Sequence, residues 1–193
     1  ASVEIGIEPS AGAGVVLARL HLPGNASITA TNRVSIGDGA NQGTNATLEI
    51  GGGTTTISTP LLLIGGRKSI ANVTVAEGGT LRIGNEASRA QLVIGQNNVS
   101  TGVTTNATFD LSGAGEPRTL IANLHTVIVG QKTTGSTKPS GQAFGTWNLG
   151  SSPETDVQIR NGSGIALLVG DLNPGNVNGT PGQPVTGTIH FDA

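Results

Sequence analysis

The chain of 193 residues contains no cysteine, no methionine and no tyrosine, and only one tryptophan and three phenylalanines. Without cysteine there is no disulfide, no thiolate zinc site and no thiol nucleophile. Charged residues make up 11% of the chain, under half of the roughly 25% usual in soluble domains. The net charge is −2 with no Lys/Arg cluster, which argues against a nucleic-acid partner or an anionic membrane surface. No apolar run exceeds five residues, far short of a bilayer span, so membrane insertion is not expected. A chain without Met has lost its initiator, and Ala1-Ser2-Val3 carries neither a basic nor an apolar leader segment. Both fit a mature form from which a signal peptide has been removed, and hence a secreted or cell-surface protein.

What the chain has in abundance is 31 Gly, 38 Ser plus Thr and 15 Asn. The glycines are ordered. An apolar triplet closed by Gly recurs as Val34-Ser35-Ile36-Gly37, Leu62-Leu63-Ile64-Gly65, Leu92-Val93-Ile94-Gly95, Val127-Ile128-Val129-Gly130 and Leu167-Leu168-Val169-Gly170. A second, alternating run follows each: Leu48-Glu49-Ile50, Val73-Thr74-Val75, Phe109-Asp110-Leu111, Trp147-Asn148-Leu149 and Ile189-His190-Phe191. A third run completes the units at Thr56-Ile57-Ser58, Leu81-Arg82-Ile83, Leu120-Ile121-Ala122 and Val157-Gln158-Ile159. Val15–Leu22 and Ile28–Thr31 read as the second and third runs of a partial first unit.

Short runs with period-two alternation, bounded by Gly, Asn, Pro or Ser, are strand signatures. About five stacked units of three short strands predict an all-β chain folded as a parallel β-solenoid, or β-helix. At ~4.8 Å per coil the rod would be about 25 Å long. The alternative is an antiparallel β-sandwich, which explains the alternation but not the aligned glycines. Residues 15–193 form the single solenoid domain; residues 1–14 are an N-terminal segment, an extended arm that would contact the core or a neighbouring subunit. The scarcity of rings fits a narrow interior, and the loop after each first strand lengthens along the chain, so one corner should flare.

The middle residues of the second runs, Glu49, Thr74, Asp110, Asn148 and His190, are polar and should face outward. Those of the first runs, after Ser35, are Leu63, Val93, Ile128 and Leu168. A strand apolar on both faces is usually covered on both. Either a segment such as Val3–Pro9 folds over this stripe or another subunit does. With Ile189 and Phe191, on a last strand that has no cap after it, Leu63, Val93, Ile128 and Leu168 form the candidate assembly interface.

Chemistry is thin. Solenoid lyases and hydrolases need clustered carboxylates or a carboxylate beside a base, and Asp110 has only Thr74 and Asn148 as ladder neighbours. His21, His125 and His190 are dispersed, no phosphate loop follows the glycines, and neither calcium nonapeptides nor Thr-x-Thr ladders are visible. No cofactor, metal or catalytic residue is expected, and the chain is not expected to be an enzyme. Asn-x-Ser/Thr occurs at Asn25, Asn45, Asn72, Asn98, Asn106, Asn161 and Asn178, seven times against about three expected by chance from this composition. Read at face value these sites, mostly at predicted corners, would carry glycans; read structurally they reflect the taste of turns and edges for Asn and Thr.

Thr126–Gln131, Gly145–Gly150 and Leu167–Asp171 resemble the repeats of autotransporter-associated β-strand passengers and related bacterial surface β-solenoids. The resemblance spans roughly residues 34–191. It implies a secreted or surface-displayed scaffold, stalk or adhesin, although such proteins usually run to many hundreds of residues with an anchoring domain. The expected function is that of an extracellular structural protein, a homo-oligomer or filament subunit with attached or bound glycans. The alternatives are an adhesin domain binding carbohydrate or a surface through the outer polar ladder and the loops at Gln131–Phe144 and Asp171–Val185, and, remotely, a polysaccharide lyase or hydrolase.

Overall fold

The computed structural model describes residues 1–7, 15–99, 104–133, 141–152, 154–162, 164–172 and 185–191, with backbone alone at 40–42. Strands take up 69% of it and no helix occurs among the described residues, so the chain is all-β. Every described strand pairing is parallel. The antiparallel pairs that a sandwich of hairpins needs are absent among the described residues.

Register sorts the pairings into three ladders. The first runs through β1 (Ser2–Ile7), β4 (Arg33–Ile50), β6 (Leu61–Val75), β8 (Ala90–Asn97), β10 (Thr119–Lys132) and β13 (Leu167–Leu172). The second runs through β2 (Val16–Leu22), β4, β6, β9 (Thr105–Asp110), β11 (Ala143–Asn148) and β14 (Val185–His190). The third holds β3 (Ala26–Thr29), β5 (Gly53–Ser58), β7 (Gly79–Ile83), β10 and β12 (Asp156–Ile159). Long strands such as β4 and β10 serve two ladders, which joins all fourteen into one sheet that does not close on itself.

Alternation fills the interior. In the first ladder Ile36, Ile64, Ile94 and Val129 stack in register and are fully buried; in the second Leu48, Val73, Phe109 and Trp147 do the same. Phe109 and Trp147 lie parallel, 8° apart with centroids 6.0 Å from each other, an offset stack rather than two separately housed rings. Each such side chain contributes about 1.5–3 kcal/mol by leaving water. Opposite them, Glu49, Thr74, Asp110 and Asn148 are partly exposed and His190 is exposed.

The sequence reading missed one copy. Val3-Glu4-Ile5-Gly6 is a first run: β1 lies in register beside β4, Val3 against Val34 and Ile5 against Ile36. This segment is therefore the first rung of the ladder, not a flap over its outer face; residues 8–14 lie outside the described residues.

Gly6, Gly37, Gly65, Gly95, Gly130 and Gly170 all take φ between 67° and 76°, where L side chains are strained. Facing this column is another, Ala18, Ala46, Ala71, Ala107, Gly145 and Gly187, aligned by the second ladder. The two columns touch. A Cβ built on Gly65 would fall 2.6 Å from the Ala107 Cβ, while at Gly130 it would meet the Thr186 carbonyl. Where the opposing residue shrinks from Ala to Gly, backbone meets backbone directly.

This contact predicts that Gly65→Ala destabilises by about 2–4 kcal/mol, from left-handed strain plus overlap. Ala107→Gly in the same chain should recover the overlap part but not the strain. Urea unfolding of the two single variants and the double variant checks this, and a coupling energy near zero would contradict the contact.

Candidate assembly surfaces

The first-ladder outer stripe is buried within one chain. Leu63 is 4% exposed, Val93 2% and Ile128 6%, and they form a hydrophobic cluster of their own against Leu61 and Leu168. Just past the glycine corner, a Cβ on Gly66 would sit 2.9 Å from Leu63 Cδ2 and 2.6 Å from Asp38 Oδ1. In register with Gly66 runs the column Asp38, Gly66, Gln96, Gln131 and Asp171. The burial of Leu63, Val93 and Ile128 within one chain corrects the expectation that they await a neighbouring subunit; Leu168 is half-buried beside them.

That column is polar and partly bonded within itself. Gln96 Nε2 donates to Gln131 Oε1 at 2.7 Å, and Gln131 Nε2 donates to Asp171 Oδ2 at 2.8 Å. Asp38 accepts from Arg67 Nε at 2.6 Å and pairs with Arg33 Nη2 at 3.0 Å; Arg33 also reaches Glu4 Oε1 at 2.7 Å. The hydrogen bond to Glu4 is the main reason the Arg33 guanidinium is raised above its ordinary pKa. Arg67 is the one non-glycine residue with positive φ among those described, at 54°. Its second contact, Nη2 to the Asp38 carbonyl at 2.7 Å, offsets that strain. Further out, Lys132 is buried, and desolvation lowers its ammonium below the ordinary lysine value; its Nζ donates to the Gly141 carbonyl at 2.7 Å.

The ends of the sheet differ from its middle. Among the described residues β1, β2 and β3 at one end and β12, β13 and β14 at the other each have a single strand partner. In the inner column where Val129 is fully buried, Val169 on the last rung is 47% exposed. Beside it Leu167 is exposed and Ile189 is half-buried, while Phe191 is 76% exposed. At the opposite end Val3, Leu20 and Leu22 are only partly buried. Of the six residues expected to form an assembly interface, Ile189 and Phe191 thus remain at an open end, and three of the other four are interior. The outer corner of β2 is charged: Arg19 and His21 both reach Glu49, at 2.7 and 3.4 Å. The Arg19 hydrogen bond is the main cause holding the Glu49 carboxyl below its ordinary pKa.

The sequons are explained by the ladders. Asn45, Asn72 and Asn106 lie mid-strand on the outer face of the second ladder, not at corners. In Asn45-Ala46-Thr47 and Asn106-Ala107-Thr108 the middle Ala belongs to the column facing the glycines, and its flanking positions point outward. Alternation of polar, small, polar writes the motif unaided. Asn25, Asn98 and Asn106 are exposed; Asn25 Oδ1 accepts from the Thr54 amide at 2.8 Å, and Asn161 Nδ2 is engaged with Thr126 Oγ1 and the Ile165 carbonyl. Asn178 lies outside the described residues, as do most of the loops at Gln131–Phe144 and Asp171–Val185. The same registers reveal an outer column that the sequence reading did not see: Thr47, Asn72, Thr108, Thr146 and Thr188.

No family model matches the chain, and no curated protein or solved structure is similar to it.

Because the stripe is interior, Val93→Asp should act on folding. An unpaired buried carboxylate costs several kcal/mol, so the variant should lose thermal stability at subunit concentrations too low for any association. A Tm equal to that of the unmodified chain would show the stripe to be surface.

Proposed function

We propose that the chain is a structural protein, a parallel β-solenoid of about five coils whose subunits assemble into a filament or surface layer. The observation carrying this is the pair of open ends. Among the described residues the three strands at each end are paired on one side and their core columns are partly exposed, and an edge of that kind is a template for further strands. The three ladders, stacked in register, support the solenoid reading, with one rung of each as a coil. The extracellular placement rests on the resemblance of the repeats to those of bacterial surface proteins. Glycans at the exposed Asn25, Asn98 and Asn106 are compatible with it.

A second reading, a carbohydrate-binding adhesin domain, draws on the outer face of the second ladder. There the hydroxyls and amides of Thr47, Asn72, Thr108, Thr146 and Thr188 stand in line, and half-buried Phe144 lies between Asn106 and Thr186 in the neighbouring column. A row of donors beside a ring is suited to a polymeric sugar.

Assembly is read by electron microscopy and light scattering against concentration, with fibres or sheets expected. Val169→Lys with Phe191→Lys should abolish them while changing monomer stability by no more than about 1 kcal/mol, since Val169 is about half exposed and Phe191 largely so. Monodisperse monomers of the unmodified protein at high concentration would refute the proposal.

A further inference from the structure

Resting on the proposal of self-assembly, we infer that copies join head to tail in one register, with β14 of one copy beside β2 of the next, β13 beside β1, and β12 beside β3. Parallel pairing makes the two ends of the sheet unlike, so equal ends cannot meet with strands parallel. The contact is heterologous and propagates.

The register follows from the columns. Continuing the first ladder by one rung puts Val169 against Ile5 and Gly170 against Gly6 of the next copy. Continuing the second puts Gly187 against Ala18, Ile189 against Leu20 and Phe191 against Leu22. Continuing the third puts Val157 against Ile28. Each apolar end residue then gains the neighbour that its column has everywhere inside the chain. A slip of one residue would turn the apolar set outward. A slip of two would move bulkier side chains into the small column that faces the glycines, where no Cβ fits at Gly170's inner counterparts, Gly95 and Gly130.

The same register sets Thr188 beside Arg19 and His190 beside His21. Around the histidines, Asn148 and Asp110 precede His190 in its column, while Glu49 follows His21 and also holds Arg19. Because the His21–Glu49 and Arg19–Glu49 pairs exist within each copy, the outer contacts new to the junction are imidazole against imidazole and the Thr188 hydroxyl beside the Arg19 guanidinium.

The absence of cysteine from the chain makes the register directly readable. In Arg19→Cys with Thr188→Cys, the two thiols of one copy are separated by the whole stack, so any disulfide formed is between copies. In-register neighbours lie ~4.8 Å apart, within disulfide reach, whereas Thr186→Cys with Arg19→Cys places the pair about 8 Å apart, beyond it. Mild oxidation at pH 7.5 should give a ladder of covalent multimers from the first variant and monomer from the second. Fibres from the unmodified protein together with no 19–188 cross-links in the first variant, or equal cross-linking of both pairs, would overturn the register and leave assembly standing. No fibres from the unmodified protein would overturn both.

Discussion

The structure depends on two backbones coming closer than any pair of ordinary side chains permits. Where the first ladder turns, six glycines with nearly equal φ face a column of alanines and glycines from the second ladder. This approach lets long strands such as β4 and β6 bend and still pack flat against their own continuation. It fixes the corner at one height in every rung, and with the corner fixed the registers of the flanking ladders follow. A larger residue in either column would separate the ladders and open the core along their whole length, so the constraint is collective.

A thin interior is the direct result. Ladders held this close leave room for one Ile, Leu or Val from each wall, which accounts for the shortage of rings better than any chemical disfavour does. Phe109 and Trp147 are admitted together, stacked in neighbouring rungs, so that each supplies the flat wall the other needs. The cost is a Trp147 Nε1–H with no partner among the described residues, a buried donor whose desolvation opposes the gain from the ring. On the far side of the corner the turned-back chain makes a second, smaller core at Leu63, Val93 and Ile128. Past the corner lie the bonded line Gln96, Gln131, Asp171 and the Arg33–Asp38–Arg67 cluster.

Much of this was legible in the sequence, because alternation and the glycine period are local signals. The partners of Glu49, Thr74, Asp110, Asn148 and His190 could be aligned from pattern alone, and the structure pairs them in that order. Three things were not legible. Val3-Glu4-Ile5-Gly6 repeats the motif, but it stands as a single short run before a Pro- and Ala/Gly-rich stretch, so nothing beside it announces a full unit. The small column was hidden because Ala and Gly score as filler, and their meaning lies in what faces them across the fold. The burial of the outer stripe is tertiary: period two says that Leu63 points away from the main core, and it carries no information on whether the chain returns to cover that side. Of the two covers the alternation left open, the chain itself or a neighbouring subunit, the burial of Leu63, Val93 and Ile128 within one chain favours the first.

A repeating sheet of this kind has no internal reason to stop, since each rung is templated by the one before. What could stop it is a change in what a rung presents, and among the described residues the outermost rungs change little. Val169, Ile189 and Phe191 continue the apolar columns without a polar substitute, and the charges of the first rung, Glu4, Arg19 and His21, lie on the outer face. Natural sheets discourage indiscriminate pairing by charges, prolines or bulges on their edges. These ends instead restrict pairing through shape: only a strand bringing a small residue opposite the glycine corner can continue the stack without separating its ladders. The closest contact in the molecule is thus the feature best able to distinguish a correct neighbour from any other strand.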